Sequence, residues 1–384
     1  MNTVLLLFAA MLIPLFEGRD DTEADTASDA EADAVIPTDE NTDDDTEGEP
    51  VAELSAASDA SGAPVVQGND ADNSLTQTSI MDFITGDATL TAAPAGTVAV
   101  NAGAGDDTVD AGLLDTPVVR GEAGDDVLTG SLFQGNGVAA LEGGEGNDTI
   151  TGTVSDISGG AGDDVLTGSG SGESGETGAI SGGLGNDTIS VGLLGNAAGD
   201  EGNDTITVTG LNATADGGAG DDNLTFAYSE TTEAMPTATS PIPALDTGVE
   251  LTGGEGADNF VLSGVFEEID PATSASPALF ATITDLDLTE DVIAINFDLG
   301  TNSLLGTDGV ETFNKDISFV STTSYDDSDN FDLLFTLSGE NADGAFSQNF
   351  VIRLVGDIEF DDLSIQETEN GLVMSAGTRA IEVA

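Results

Sequence analysis

Gly143-Gly-Glu-Gly-Asn-Asp-Thr-Ile-Thr151 is followed shortly by Gly159-Gly-Ala-Gly-Asp-Asp-Val-Leu-Thr167, one nine-residue frame written twice. Outward from this pair the frame recurs in a single phase, starting at Ala102, Gly121, Gly143, Gly159, Gly182, Gly199, Gly217 and Gly253. Its sixth position is always aspartate: Asp107, Asp126, Asp148, Asp164, Asp187, Asp204, Asp222 and Asp258. Its eighth is always apolar: Val109, Leu128, Ile150, Leu166, Ile189, Ile206, Leu224 and Phe260. Repetition on a fixed period is the signature of a solenoid, in which each repeat buries its apolar face only by stacking on its neighbours.

Two residues before each frame lies a second apolar column: Val100, Val119, Leu141, Ile157, Ile180, Ala197, Ala215 and Leu251. The sixth-position aspartates are 19, 22, 16, 23, 17, 18 and 36 residues apart, a period near 18 with one double step. That length predicts two short strands per coil, each turning one apolar residue inward. The turns on the opposite side, such as Gly112-Leu113-Leu114 and Gly192-Leu193-Leu194, carry no aspartate at a fixed place. Only one edge of the stack is therefore expected to bear a row of carboxylates.

The frame has a chemical logic. Glycine allows positive φ, so a tight loop can turn its carbonyl oxygens inward. The aspartate adds charge, and the alternation after it starts a strand. Ca²⁺ takes six to eight oxygen ligands, more than one such loop offers, so two successive turns would have to share each ion. Charges stacked about 4.8 Å apart repel by roughly 3.5 kcal/mol at an effective dielectric near 20. Over a row this approaches the whole stability of a domain, about 5–15 kcal/mol. Cations are expected to hold the roll together.

Composition points the same way. The chain of 384 residues has 73 acidic side chains against five basic ones, and none of the basic ones lies between Gly121 and Asn314. Nucleic acid and anionic membrane need a basic surface and are poor partners. Without cysteine or histidine, thiolate zinc sites, haem ligation by His or Cys and His-dependent nucleophile systems are excluded.

The frame Gly-Gly-x-Gly-x-Asp-x-apolar-x resembles the haemolysin-type, or RTX, calcium-binding repeat. That resemblance implies an all-β fold, a parallel β-roll or β-helix solenoid with Ca²⁺ as cofactor and the eight aspartates among its ligands. It covers about 160 residues strongly and departs from the pattern at Glu122 and Asp200, which replace the second glycine. Asn147, Asn186 and Asn203 spell glycosylation sequons, but the repeat itself generates those letters and places them in the metal turn.

Around the roll, residues 1–16 form an apolar N-terminal segment whose contact with a membrane is left open, and residues 17–60 an acidic, disordered linker with 17 Asp and Glu. Residues 61–100 are expected as irregular capping coils, 101–262 as the roll, and a Thr/Pro-rich stretch at about 228–246 as an excursion from it. Residues 263–366 alternate as a β-rich C-terminal cap. Within it, Ile283-Thr-Asp-Leu-Asp-Leu-Thr-Glu-Asp-Val-Ile-Ala-Ile295 is similar to the segment that closes many RTX arrays. Residues 367–384 resemble a C-terminal type I secretion signal, which implies the type I machinery as partner and an extracellular or cell-surface location. The expected role is structural or interactive rather than enzymatic. Its rivals are a carbohydrate-active enzyme with paired carboxylates and a surface binder using ranks such as Thr205-Ile-Thr-Val-Thr209 against ice or glycan.

Overall fold

The computed structural model describes residues 54–94, 96–112, 114–133, 136–168, 178–192, 195–229, 248–266, 278–299, 322–323, 330–341, 344–355, 358, 363–367 and 371–376. The apolar segment 1–16, the acidic linker up to residue 53, most of the excursion (230–247) and residues 377–384 lie outside them.

The chain is a parallel β-solenoid of two stacked sheets, 14 and 13 strands among the described residues. Each coil places one strand in each sheet. In the first sheet Ala140–Glu145, Asp156–Ala161 and Ala179–Leu184 run parallel, with Leu141, Ile157 and Ile180 in register. In the second, Thr149–Thr153, Val165–Gly168 and Thr188–Val191 align Ile150, Leu166 and Ile189. Both apolar columns read from the sequence are the buried columns of the fold.

The core is thicker than one side chain per strand. Two residues beyond Ile150 and Leu166 stand Gly152 and Gly168, and a Cβ there would meet the Leu141 or Ile157 and Ile180 side chains at about 3 Å. From the next coil onward the same register holds Val191, Val208, Phe226, Leu262 and Ile295, all buried. The facing column meanwhile shrinks from Ile180 to Ala197 and Ala215. Small faces large at Gly152 and Gly168 on one side and at Ala197 and Ala215 on the other, so the source of the volume moves from one sheet to the other, before Leu251 restores a large residue to the facing column. The two alanines therefore do not thin the core. Toward the C-terminal end Phe226, Phe280 and Phe350 stack at 4.8 and 5.9 Å between ring centroids.

Three boundaries differ from the sequence reading. The linker's last residues form strand Ser55–Ser58, antiparallel to Pro64–Gln67. Residues 61–100 are not irregular: Pro64–Gln67 and Ser74–Thr76 are the first coil, in register with the second. Helix Gln77–Gly86 follows, capped at Thr76, whose hydroxyl accepts from Ser79 N–H while Ser79 Oγ accepts from Thr76 N–H. Ile80, Phe83 and Ile84, spaced three and four apart, turn one face to the core. The parallel stack also runs past residue 262. Strand Ala278–Ile283 pairs with Val249–Glu255, and Val292–Leu299 with Asn259–Phe266. Gly344–Val355 adds in parallel to Ala278–Ile283, and antiparallel strands then close the end, pinned by Arg353, whose guanidinium bonds both oxygens of buried Asp332 at 2.8 and 3.1 Å.

Glu122 and Asp200 keep the turn their glycine counterparts make, with φ of 84° and 75°. A side chain in the left-handed region costs about 1–2 kcal/mol, of which glycine's extra chain entropy would return about 0.5–1 kcal/mol. Glu122→Gly is expected to stabilise the folded protein by about 0.5–1 kcal/mol. Asp200→Gly should gain less, because it gives up the 2.5 Å bond from Ser181 Oγ to Asp200 Oδ2. Chemical denaturation of the two variants checks this, and a Glu122→Gly protein no more stable than wild type contradicts it.

Candidate metal centre

All eight sixth-position aspartates stack along one edge of the solenoid, each 1–2% exposed. They are tied by a ladder of one polarity. Asp107 N–H donates to Asp126 Oδ1, Asp126 N–H to Asp148 Oδ1, and Asp148 N–H to Asp164 Oδ1, at 2.7–2.8 Å. The pattern continues through Asp187, Asp204 and Asp222 to Asp258. The 36-residue double step leaves no missing rung, since Asp222 N–H reaches Asp258 Oδ1 at 2.9 Å.

The ladder is longer than the repeat. Asn73 N–H donates to Asp107 Oδ1 at 2.6 Å, and Asp258 N–H donates to Asp291 Oδ1 at 2.9 Å. Asp258 thus does not end the row. Both outer members were legible in principle. Asn73 is the sixth residue of the frame begun at Gly68, and Asp291 precedes Val292-Ile293 with the spacing of the closing segment.

A second ladder of opposite polarity runs beside the first and escaped the sequence reading. Here a residue's side chain accepts from the following coil's backbone: Asp125 Oδ1 from Asn147 N–H, Asn147 Oδ1 from Asp163 N–H, Asp163 Oδ1 from Asn186 N–H. Its signal was the fifth position, which is Asp or Asn in every frame but the last, where Ala257 stands. Asn147, Asn186 and Asn203 are all rungs of it.

The first ladder uses only one oxygen of each carboxylate. The Oδ2 atoms of Asp107, Asp126, Asp148, Asp164, Asp187, Asp204, Asp222 and Asp258 are buried with no hydrogen-bond partner. Each points into its own turn. A Cβ on Gly121 would collide with Asp126 Oδ2 and meet the Gly143 carbonyl oxygen of the next coil at 2.8 Å, and Gly143, Gly159 and Gly182 repeat this at 2.6–2.8 Å. In the seven frames from Gly121 to Gly253 the glycine at position one leaves room for the close approach of the carboxylate, while the first frame carries Ala102 there. Among the described residues no three acidic side chains converge on one point. A cation here would take one carboxylate oxygen per turn and otherwise backbone carbonyls, a hard-oxygen set of the kind Ca²⁺ accepts.

An unsatisfied buried polar atom costs about 1–3 kcal/mol, and more when charged. Eight of them match or exceed the usual net stability of about 5–15 kcal/mol. Protons are one remedy. Burial pushes the carboxyls of Asp126 and Asp164 up to about 7 and those of Asp204, Asp222 and Asp258 to about 6, with neighbouring carboxylates adding to the rise and backbone N–H donors opposing it. Burial likewise raises Asp107, Asp148 and Asp187.

On the second sheet, beyond the aspartate edge, a groove of about 430 Å³ is lined by hydroxyls that include Thr129, Thr151, Thr167, Ser190 and Thr209. No family model and no curated protein matches this chain.

Because these carboxyls are raised above their unfolded value, the metal-free fold binds more protons than the unfolded chain, and its stability falls as pH rises through about 6–7. Metal-stripped protein is expected to gain β structure on acidification from about pH 8 to about pH 5. Circular dichroism reads this directly. A β signal that is constant or falls over that range contradicts the assignment.

Proposed function

We propose that this chain is a calcium-binding repeat protein of the haemolysin-type class, acting outside the cell or at its surface in a structural or interaction role, whose roll folds on meeting Ca²⁺. One observation carries the reading: eight buried carboxylate oxygens in register, none with a hydrogen-bond donor, those from Asp126 to Asp222 beside the next turn's glycine carbonyl. A divalent cation supplies positive charge to such a site and accepts both kinds of oxygen as ligands. Ca²⁺ suits it better than Mg²⁺, which demands near-ideal octahedral geometry and gives up water reluctantly.

In this reading the residues divide the work. The aspartate Oδ1 atoms set coil-to-coil register by accepting backbone N–H. The Oδ2 atoms and the carbonyls of frame positions one, two and four hold the ion. The apolar columns exclude water from one side of the row. Each site at one hundred times its dissociation constant adds about 2.7 kcal/mol, so several sites offset the unpaired carboxylates. Sub-micromolar calcium in a cytoplasm would leave the chain unfolded and fit for threading through a one-step secretion channel, and millimolar calcium outside would fold it.

Circular dichroism of the full chain is expected to show a largely unfolded spectrum in chelator at neutral pH and β structure in millimolar Ca²⁺. Mg²⁺ at the same concentration should not substitute. A β spectrum unchanged by chelation removes the basis of the proposal.

The type I export route has a separate test. Part of the proposed C-terminal signal is built into the fold, as strand Gly371–Ala376 pairs antiparallel with both Val292–Leu299 and Leu363–Glu367. Deleting only residues 377–384 therefore spares that pairing. The deletion is expected to retain the protein inside the producing cell while purified protein keeps its calcium response. Normal export of the truncated chain, with export lost instead on deleting residues 1–16, assigns the signal to the N-terminus.

A further inference from the structure

The two ends of the aspartate ladder differ from its interior in one respect: neither leaves an oxygen orphaned. At the first turn Asn73, 3% exposed, stands where the frame otherwise puts aspartate. Its amide Nδ2 lies 2.6 Å from the Ala71 carbonyl oxygen, 3.2 Å from those of Asn69 and Ala102, and 2.9 Å from Asp107 Oδ1. Four acceptors surround one atom, so that atom is the donor nitrogen rather than the amide oxygen.

The cage stands at frame positions that recur in the later turns. Asn69 and Ala71 occupy frame positions two and four, and Ala102 is position one of the next coil. A Cβ on Gly68 would meet Asn73 Nδ2 at 3.2 Å and the Ala102 carbonyl, whereas on Gly121 it would meet Asp126 Oδ2 and the Gly143 carbonyl. The amide N–H₂ thus stands in the first turn where a bare carboxylate oxygen stands in the others. It gives the carbonyls hydrogen atoms where the other turns offer only a further acceptor.

The opposite end is closed by a different device with the same outcome. Asp291 Oδ1 accepts from Asp258 N–H at 2.9 Å and its Oδ2 from Asp287 N–H at 2.7 Å, so both oxygens are paired. That turn lacks the frame's glycines. The Asp285 carboxylate instead accepts from Gly253 and Gly254 N–H at 2.9 and 2.8 Å, covering the last glycine turn from above.

We infer that the two end turns, at Asn73 and Asp291, are built to close without a cation, so that the cation row is confined to the turns from Asp107 to Asp258. The inference rests on the calcium reading for the interior turns. Within it, Asn73 is an internal substitute for an aspartate and its ion, with amide hydrogens supplying the positive edge. The row then has a defined length, bounded on each side by a turn satisfied from within the chain.

The test is a count of bound Ca²⁺ per chain by calorimetric titration of the full-length protein, with β content followed by circular dichroism. Asn73→Asp is expected to bind one more Ca²⁺ than wild type, because the same cage then holds an orphan oxygen. Asp291→Asn should keep the wild-type count. Asp164→Asn should lose at least one Ca²⁺ yet keep its β spectrum in calcium, since the amide fills the cage as Asn73 does. This last variant retains the test should Asn73→Asp not fold. A wild-type count from Asn73→Asp, or from Asp164→Asn, overturns the inference while leaving calcium binding intact. Wild-type protein that binds no Ca²⁺ overturns the calcium reading and the inference together.

Discussion

A buried carboxylate oxygen with no hydrogen-bond donor is unstable on its own, and this solenoid stacks eight of them in a row. Everything else in the repeat accommodates that oxygen. From Gly121 to Gly253 glycine stands at frame position one, where Oδ2 leaves no space for a Cβ, and turns with positive φ bring the carbonyls around it. The partner oxygen, Oδ1, is held by the preceding coil's backbone, which fixes the carboxylate's orientation. Flexibility cannot relieve the repulsion, because the ladder holds each oxygen in place. Relief has to come from a proton or a cation, and near neutral pH protons serve Asp126 and Asp164 only in part and Asp204, Asp222 and Asp258 still less.

The two side-chain ladders divide the edge by polarity. In the buried one each aspartate accepts from the coil before it, and in the exposed one each Asp or Asn accepts from the coil after it. Adjacent coils are therefore tied in both directions at the turn, in addition to the parallel strand pairing on either side. The exposed ladder works equally with Asp or Asn, since only a carbonyl-like oxygen is needed. The buried one keeps aspartate from Asp107 to Asp258. That contrast marks the buried row as the one where the charge itself matters.

Much of this was legible in the sequence because a solenoid repeats its physics at a fixed spacing. The phase of the frame fixed which residues point inward, and Leu141, Ile157, Leu166 and Ile189 lie where the two columns put them. The aspartate edge followed from the same phase. Apart from the fifth-position ladder, what escaped was what the frame does not repeat. Helix Gln77–Gly86 occurs once, and its Ile80, Phe83 and Ile84 signal is short. The exchange of Gly168 for Val191 against Ile180 for Ala197 is a correlation between sheets, invisible to a reading of one column at a time. The coil that contains Asp285 and Asp291 uses carboxylates where earlier turns use glycines, so its letters hide a turn of the same register.

The cation requirement of the eight orphan oxygens is the claim on which the account stands. It is tested most directly by a crystal structure of the protein grown in millimolar Ca²⁺, with anomalous scattering used to locate the metal. The account predicts a line of calcium peaks along the aspartate edge, each bonded to an Oδ2 between Asp107 and Asp258, and none beside Asn73 or Asp291. Refined Oδ2 atoms that bond only to water or to protein donors, with no metal peak along that edge, contradict it.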